Sequence, residues 1–208
     1  MKLYSVPASP NALRSRAVIY ELEAPVEIVN VDFRRGENKT PEYLRLNPNG
    51  KVPVLVDGDF VLWESRSINA YLAAEFPEKD LYPTQLARRA IVDQWSYWQA
   101  VHLGPAMQKV TFERVMKKQF GRGEPDEAAI AAEMPNVNQF LDVFEKSLSD
   151  GREWIAGALS IADFALATTF RLRKAAQMPL QTRPRVEAWM QRMEQRPSWQ
   201  KAIGEIPG

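Results

Sequence analysis

Apolar and polar residues alternate along the start of the chain in a way that changes period several times. Lys2 to Val6 reads as a short strand. From Pro10 the apolar positions Ala12, Ala17, Val18 and Leu22, with Tyr20, recur at helical spacing, and Val26 to Phe33 alternates as a strand does. Together these predict a β-α-β unit. Pro41 to Leu46 predicts a short helix, opening on a proline whose missing N–H costs nothing at that position. Val54-Leu55-Val56 and Phe60-Val61-Leu62 flank Asp57-Gly58-Asp59, which predicts a hairpin, and a helix is expected from near Glu64 to Phe76. The order β-α-β-α-β-β-α predicts a small mixed sheet covered by helices.

The character changes after Pro77. Residues 77–84 are polar and bracketed by prolines, as a linker would be, and no strand pattern follows. Helical spacing runs through Ala87, Ile91, Trp95, Trp98 and Val101, then Ile130 to Leu148, Ile161 to Ala176 and Val186 to Met193. The chain is therefore expected to hold an α/β domain over 1–76 and an all-α domain over 85–208. Ser160-Ile161-Ala162-Asp163 predicts a capping box, the hydroxyl accepting a helix N–H and the carboxylate reaching back to the serine N–H. The helix it opens is apolar on almost every side and should be central.

Composition narrows the function. The 208 residues carry 27 Lys and Arg against 26 Asp and Glu, a formal charge of +1, so no broad field attracts nucleic acid or an anionic membrane, and neither partner is expected. The absence of cysteine removes disulfides and any protein thiol nucleophile, so any thiol chemistry must use a thiol brought by a ligand. His102, the single histidine, has no companion ligands at metal spacing, and no metal is expected. The first residues lack the apolar core of a secretory signal, and no apolar run reaches the ~18 residues of a membrane span. A cytoplasmic location is expected.

Pro53 is the most informative position. It stands directly before the strand pattern Val54-Leu55-Val56, where proline is disfavoured because it cannot donate to a sheet. An X-Pro bond adopts the cis form at a cost of only about 0.5–1 kcal/mol. A cis bond here would turn the backbone of Val52 outward, offering an open edge to an extended peptide. Glu64 and Ser65, at the following helix start, can receive the charged ends of that peptide.

Ser9-Pro10-Asn11 after the first strand, the Asn47-to-Leu55 segment with Val52-Pro53, the run Trp63-Glu64-Ser65-Arg66-Ser67-Ile68 and the Ser160-to-Asp163 box, in this order, resemble the cytosolic glutathione transferase family. The resemblance implies a thioredoxin-like N-terminal domain, an all-helical C-terminal domain, glutathione as cosubstrate and a homodimer. Gly36 to Leu44 is similar to the phi and theta types. Ser9-Pro10-Asn11 with Trp95 to Gln99 and Leu103-Gly104-Pro105 resembles the nu type. The former implies conjugation of the glutathione thiolate to small hydrophobic electrophiles, the latter glutathione-dependent disulfide reduction. A non-catalytic binding module on the same fold is a third reading.

The thiolate is the nucleophile, and a free thiol with a pKa of about 8.5 is mostly protonated at neutral pH. Ser9, at a strand-to-helix junction, can donate its hydroxyl to the sulfur beside the positive end of the helix, and Asn11 can share or replace that role. A plain helix cap is the alternative for Ser9. Ser65 suits the γ-glutamyl carboxylate and Glu64 the amine. Lys39 and Lys51 suit the glycyl carboxylate or are simply solvated. The resemblance puts Lys51 where phi-type relatives often carry glutamine, and Asn38 where they carry histidine. Trp95, Tyr97, Trp98, His102, Met107 and Phe112 are the candidate electrophile surface, or else helical core. A first domain of about 80 residues has little core of its own, which also favours a homodimer.

Overall fold

The computed structural model describes residues 1–206, and the chain divides into two units, Met1–Thr84 with the residues from Glu194 onward, and Gln85–Met193. In the first unit the strands β1 (Lys2–Ser5), β2 (Glu27–Asn30), β3 (Val54–Asp57) and β4 (Phe60–Trp63) form one sheet in the order β2-β1-β3-β4. β1 and β2 are parallel, and the other two pairings are antiparallel. Leu3 on central β1 lies opposite Ile28 on one side and Leu55 on the other, and Leu3 and Leu55 are fully buried. Asp57 pairs with Phe60, leaving Gly58-Asp59 as a two-residue turn, and Gly58 takes the positive φ such turns need.

Helix α1 (Pro10–Leu22) crosses from β1 to β2, α2 (Pro41–Leu46) precedes β3, and α3 (Ser65–Glu75) follows β4. β2 is shorter than the expected Val26-to-Phe33 strand. Its ladder ends after Val31, because the Asp32 carboxylate accepts the N–H groups of Arg34 and Arg35 and turns the chain away.

The second unit contains helices only among its described elements. These are α4 (Leu86–Trp98), α5 (Gly104–Thr111), the short α6 (Lys117–Gln119), α7 (Glu127–Ser147), α8 (Ile161–Phe170) and α9 (Pro184–Glu194), with π-helical turns at Gln99–Leu103 and Phe112–Met116. The expected Ser160–Asp163 capping box is present. The buried Asp163 carboxylate also accepts from Ile155 N–H (3.1 Å) and Trp189 Nε1 (2.9 Å), so one side chain ties the α8 start to α9. Phe144, Phe170 and that Trp189 pack on one another, edge-to-face or tilted. α8 stops at Phe170 rather than Ala176, where the apolar run gives way to Arg171 and Arg173 and the latter turns to pair with Glu187.

One expected boundary is corrected. The helical domain was expected to run to residue 208, but α10 (Pro197–Gly204) belongs with the first unit and packs on α1. It buries Trp199 and Ala202, while Arg196 and Ser198 both donate to Glu21 of α1. Fully buried Arg16 donates to the carbonyls of Pro7 (2.8 Å) and Ala202 (3.2 Å). α1 is therefore covered by α3 on one side and α10 on another, which is why Ala12 through Ile19 are all buried despite two arginines among them. No described helix is long and apolar enough to cross a membrane.

Candidate functional site

The loop before β3 is braced from behind. Tyr43 Oη and Asn47 Nδ2 both donate to the Lys51 carbonyl at 2.8 Å, and Asn38 Nδ2 donates to the Gly50 carbonyl at 2.8 Å. The Val52-Pro53 peptide is cis, as expected. The Val52 side chain is buried with Ala12, Val31, Tyr43 and Val54. Among the described residues its own N–H and C=O take no hydrogen bond, so the backbone at this point is an unpaired edge.

Ser9 caps α1 from an extended conformation with Pro10 at the first helical position. Its Oγ accepts from the Ala12 N–H at 3.4 Å, the long end of a hydrogen bond, and its own proton has no acceptor among the described residues. The half-buried hydroxyl thus caps and retains a free donor. Exposed Asn11 lies two residues on, and its Oδ1 accepts from Arg14 Nη1 at 3.1 Å.

At the head of α3, Glu64 holds φ +75° and ψ 111°, a region that non-glycine residues occupy at a cost of order 1–3 kcal/mol. Its exposed carboxylate makes no capping bond. Ser65, the first residue of the helix, is buried, and its Oγ accepts from Arg14 Nη1 at 2.7 Å. The structure therefore brings Ser9, Asn11, Glu64 and Ser65 onto two neighbouring helix starts, joined through one guanidinium. Positive helix ends and unspent donors make this an anion-receiving surface.

Arg14 was not among the candidates. The only signal in the sequence is its spacing, three residues after Asn11 on the same helix face. Lys39 and Lys51 are both exposed, in segments that meet where Asn38 holds Gly50. Asn38 itself is buried and spends its amide N–H on that carbonyl, so it shapes the loop from inside.

In the second unit the six candidate electrophile residues separate, Trp95 buried and Tyr97 65% exposed. Met107 is fully buried, which makes it core rather than surface. Trp98 is half-buried, packed edge-to-face on Trp95 (5.1 Å) and Phe140 (6.1 Å). His102 is exposed beside Phe140, and Phe112 is half-buried at the start of a π-helical turn. Gly104 and Gln99 explain the first π turn: a Cβ on Gly104 would lie 2.5 Å from Gln99 Nε2 and 2.6 Å from the Gln99 carbonyl. Gln99 is held there by donating to Thr169 Oγ1 at 2.7 Å.

Two sequence families match the chain. The one described as Glutathione S-transferase, N-terminal domain, covers residues 1–74, and the one described as Glutathione S-transferase, C-terminal domain, covers residues 103–197. Glutathione S-transferase 3 of Zea mays is 34% identical over 100% of this chain and 95% of its own length. Among solved structures, glutathione transferase F7 of Populus trichocarpa superposes with a TM-score of 0.89 at 30% identity, covering 100% of this chain and 99% of the other. Maize glutathione S-transferase I in complex with an atrazine glutathione conjugate gives 0.88 at 32% identity, over 98% and 96%.

Proposed function

The chain belongs to the glutathione S-transferase family, and from that premise we propose that it transfers the glutathione thiolate to small hydrophobic electrophiles. The observation that carries the chemistry is the Ser9 hydroxyl, which accepts a helix N–H and keeps its proton free at the positive end of α1. A sulfur beside it would be stabilised as the anion by that hydrogen bond and by the helix end. In this reading Asn11 adds a second donor. The tripeptide lies extended along the Val52 backbone beside Pro53, Ser65 holds the γ-glutamyl carboxylate, and Glu64 accepts from the amine. Lys39 and Lys51 supply charge for the glycyl carboxylate, with Asn38 fixing the loop between them. Trp98, His102 and Phe112 contact the electrophile, and buried Met107 takes no part.

Full-length relatives named as transferases favour conjugation over the disulfide-reducing and purely binding alternatives. One preparation assayed with an aryl halide and with a small mixed disulfide, each with glutathione, tests this. Conjugation as the main activity is the expected result. Disulfide reduction alone, or neither activity while glutathione still raises the melting temperature, would overturn it.

The reading extends to a cytoplasmic homodimer. Phe60 and Trp63 on β4 are 47% and 39% exposed, a large apolar offering for an edge strand, and a second copy would cover them. A monomer by light scattering at micromolar concentration would exclude this.

A further inference from the structure

Arg14 is almost fully buried on α1, one turn beyond Asn11, and a single nitrogen of its guanidinium donates both to Asn11 Oδ1 (3.1 Å) and to Ser65 Oγ (2.7 Å). A guanidinium has donors and no acceptor. Each of its two partners, by contrast, can present either polarity. An asparagine amide can turn its oxygen or its NH2 group toward a neighbour, and which way it points is set by the network around it. A serine hydroxyl can accept, or can spend its one proton.

Facing a donor-only group, Asn11 must turn its oxygen inward, which sends its NH2 group outward, where it has no partner among the described residues. Ser65 must accept, which leaves its proton for another acceptor. We propose that Arg14 is a positioning residue that sets the donor polarity of the site, aiming the Asn11 N–H at the thiolate and the Ser65 O–H at the γ-glutamyl carboxylate. This rests on the glutathione-transfer reading above. The polarity suits a ligand that is anionic at two separated points and disfavours one that offers donors there. Burial, then the charge of nearby Arg66, pulls the Arg14 guanidinium down to about 9 against the opposing pull of Glu64, so it is still a cation at neutral pH.

Double-mutant cycles in the full chain test the assignment. Arg14→Gln should raise the KM for glutathione and the glutathione Kd roughly tenfold, the effect of one charge-assisted hydrogen bond, and should move the apparent thiol pKa in kcat/KM up by about one unit. Arg14→Lys, still a donor-only cation, should recover most of both. On a Ser65→Ala background the Arg14→Gln effect on Kd should shrink below about twofold, and on an Asn11→Ala background its effect on the thiol pKa should vanish.

Should Arg14→Gln fail to fold, Asn11→Asp carries the test. It keeps an acceptor for Arg14 and removes the outward donor, so the melting temperature should hold or rise while the thiol pKa climbs. Additive losses in both cycles, a lower melting temperature with unchanged Kd and pKa, or an Asn11→Asp variant with the parental thiol pKa would overturn the inference. A parent protein that conjugates while the cycles are additive sinks Arg14's role alone. One that binds no glutathione removes the reading beneath it as well.

Discussion

Replacing Ser9 by alanine separates a helix cap from a thiolate donor, because the two roles predict different magnitudes in different assays. The capping bond to Ala12 N–H is 3.4 Å long, so its loss should cost toward the low end of the cap range, about 0.5 kcal/mol. A hydrogen bond to a charged sulfur is worth about 1.5–3 kcal/mol, or roughly one to two pKa units. An unassisted thiol near 8.5 is about 3% ionised at neutral pH, whereas one lowered by about 1.5 units is about half ionised. Ser9→Ala should therefore cut kcat/KM at neutral pH by roughly tenfold or more and shift the ascending limb of its pH profile upward by at least about one unit. The positive end of α1 stays, worth about 0.3–1 kcal/mol, so some activity should persist. The assay is kcat/KM with an aryl halide across pH, with a melt in parallel. An unmoved pH limb with a lowered melting temperature would show that Ser9 only caps, and the reasoning would fall.

Asp163→Asn should destabilise the second unit by several kcal/mol, since an amide turns a donor toward buried N–H groups that each cost ~1–3 kcal/mol when left unpaired; a shift under about 1 kcal/mol in chemical denaturation would contradict this. Gly104→Ala should lower the melting temperature markedly, about 1–3 kcal/mol of overpacking, because its methyl meets the Gln99 carbonyl and backbone cannot step aside; an unchanged melt would count against the fit described. Burial pushes the Glu21 carboxyl up, but its hydrogen bonds from Arg196 and Ser198 together hold it below its usual range. The folded value lies under the unfolded one, so the stabilisation is complete above the ordinary carboxylate pKa and is lost as pH falls through the folded value. Glu21→Gln should thus be less stable than the parent at neutral pH, and the two stability curves should converge in acid. Parallel curves would refute it.

Local pattern alone determined a good deal of this protein. Period-two and period-3.6 spacing marked the four strands and most helices, Asp57-Gly58-Asp59 announced a tight hairpin, and Ser160 with Asp163 announced their own capping box, because each of these depends on residues close in the chain. Ser9 before Pro10 and Val52 before Pro53 were legible for the same reason. Tertiary structure decided the rest. Arg14 and Arg16 lie outside the apolar positions that marked α1, yet both are buried, because α3 and α10 arrive from 51 and 186 residues away to cover α1 and supply acceptors. Met107 could be read as electrophile surface or as helical core and lies in the core, and Pro197 opens a helix that packs on α1. Periodicity reports which face of an element is apolar. Which neighbour covers that face, and which buried cation it brings between two helix starts, depends on contacts that no short window of sequence contains.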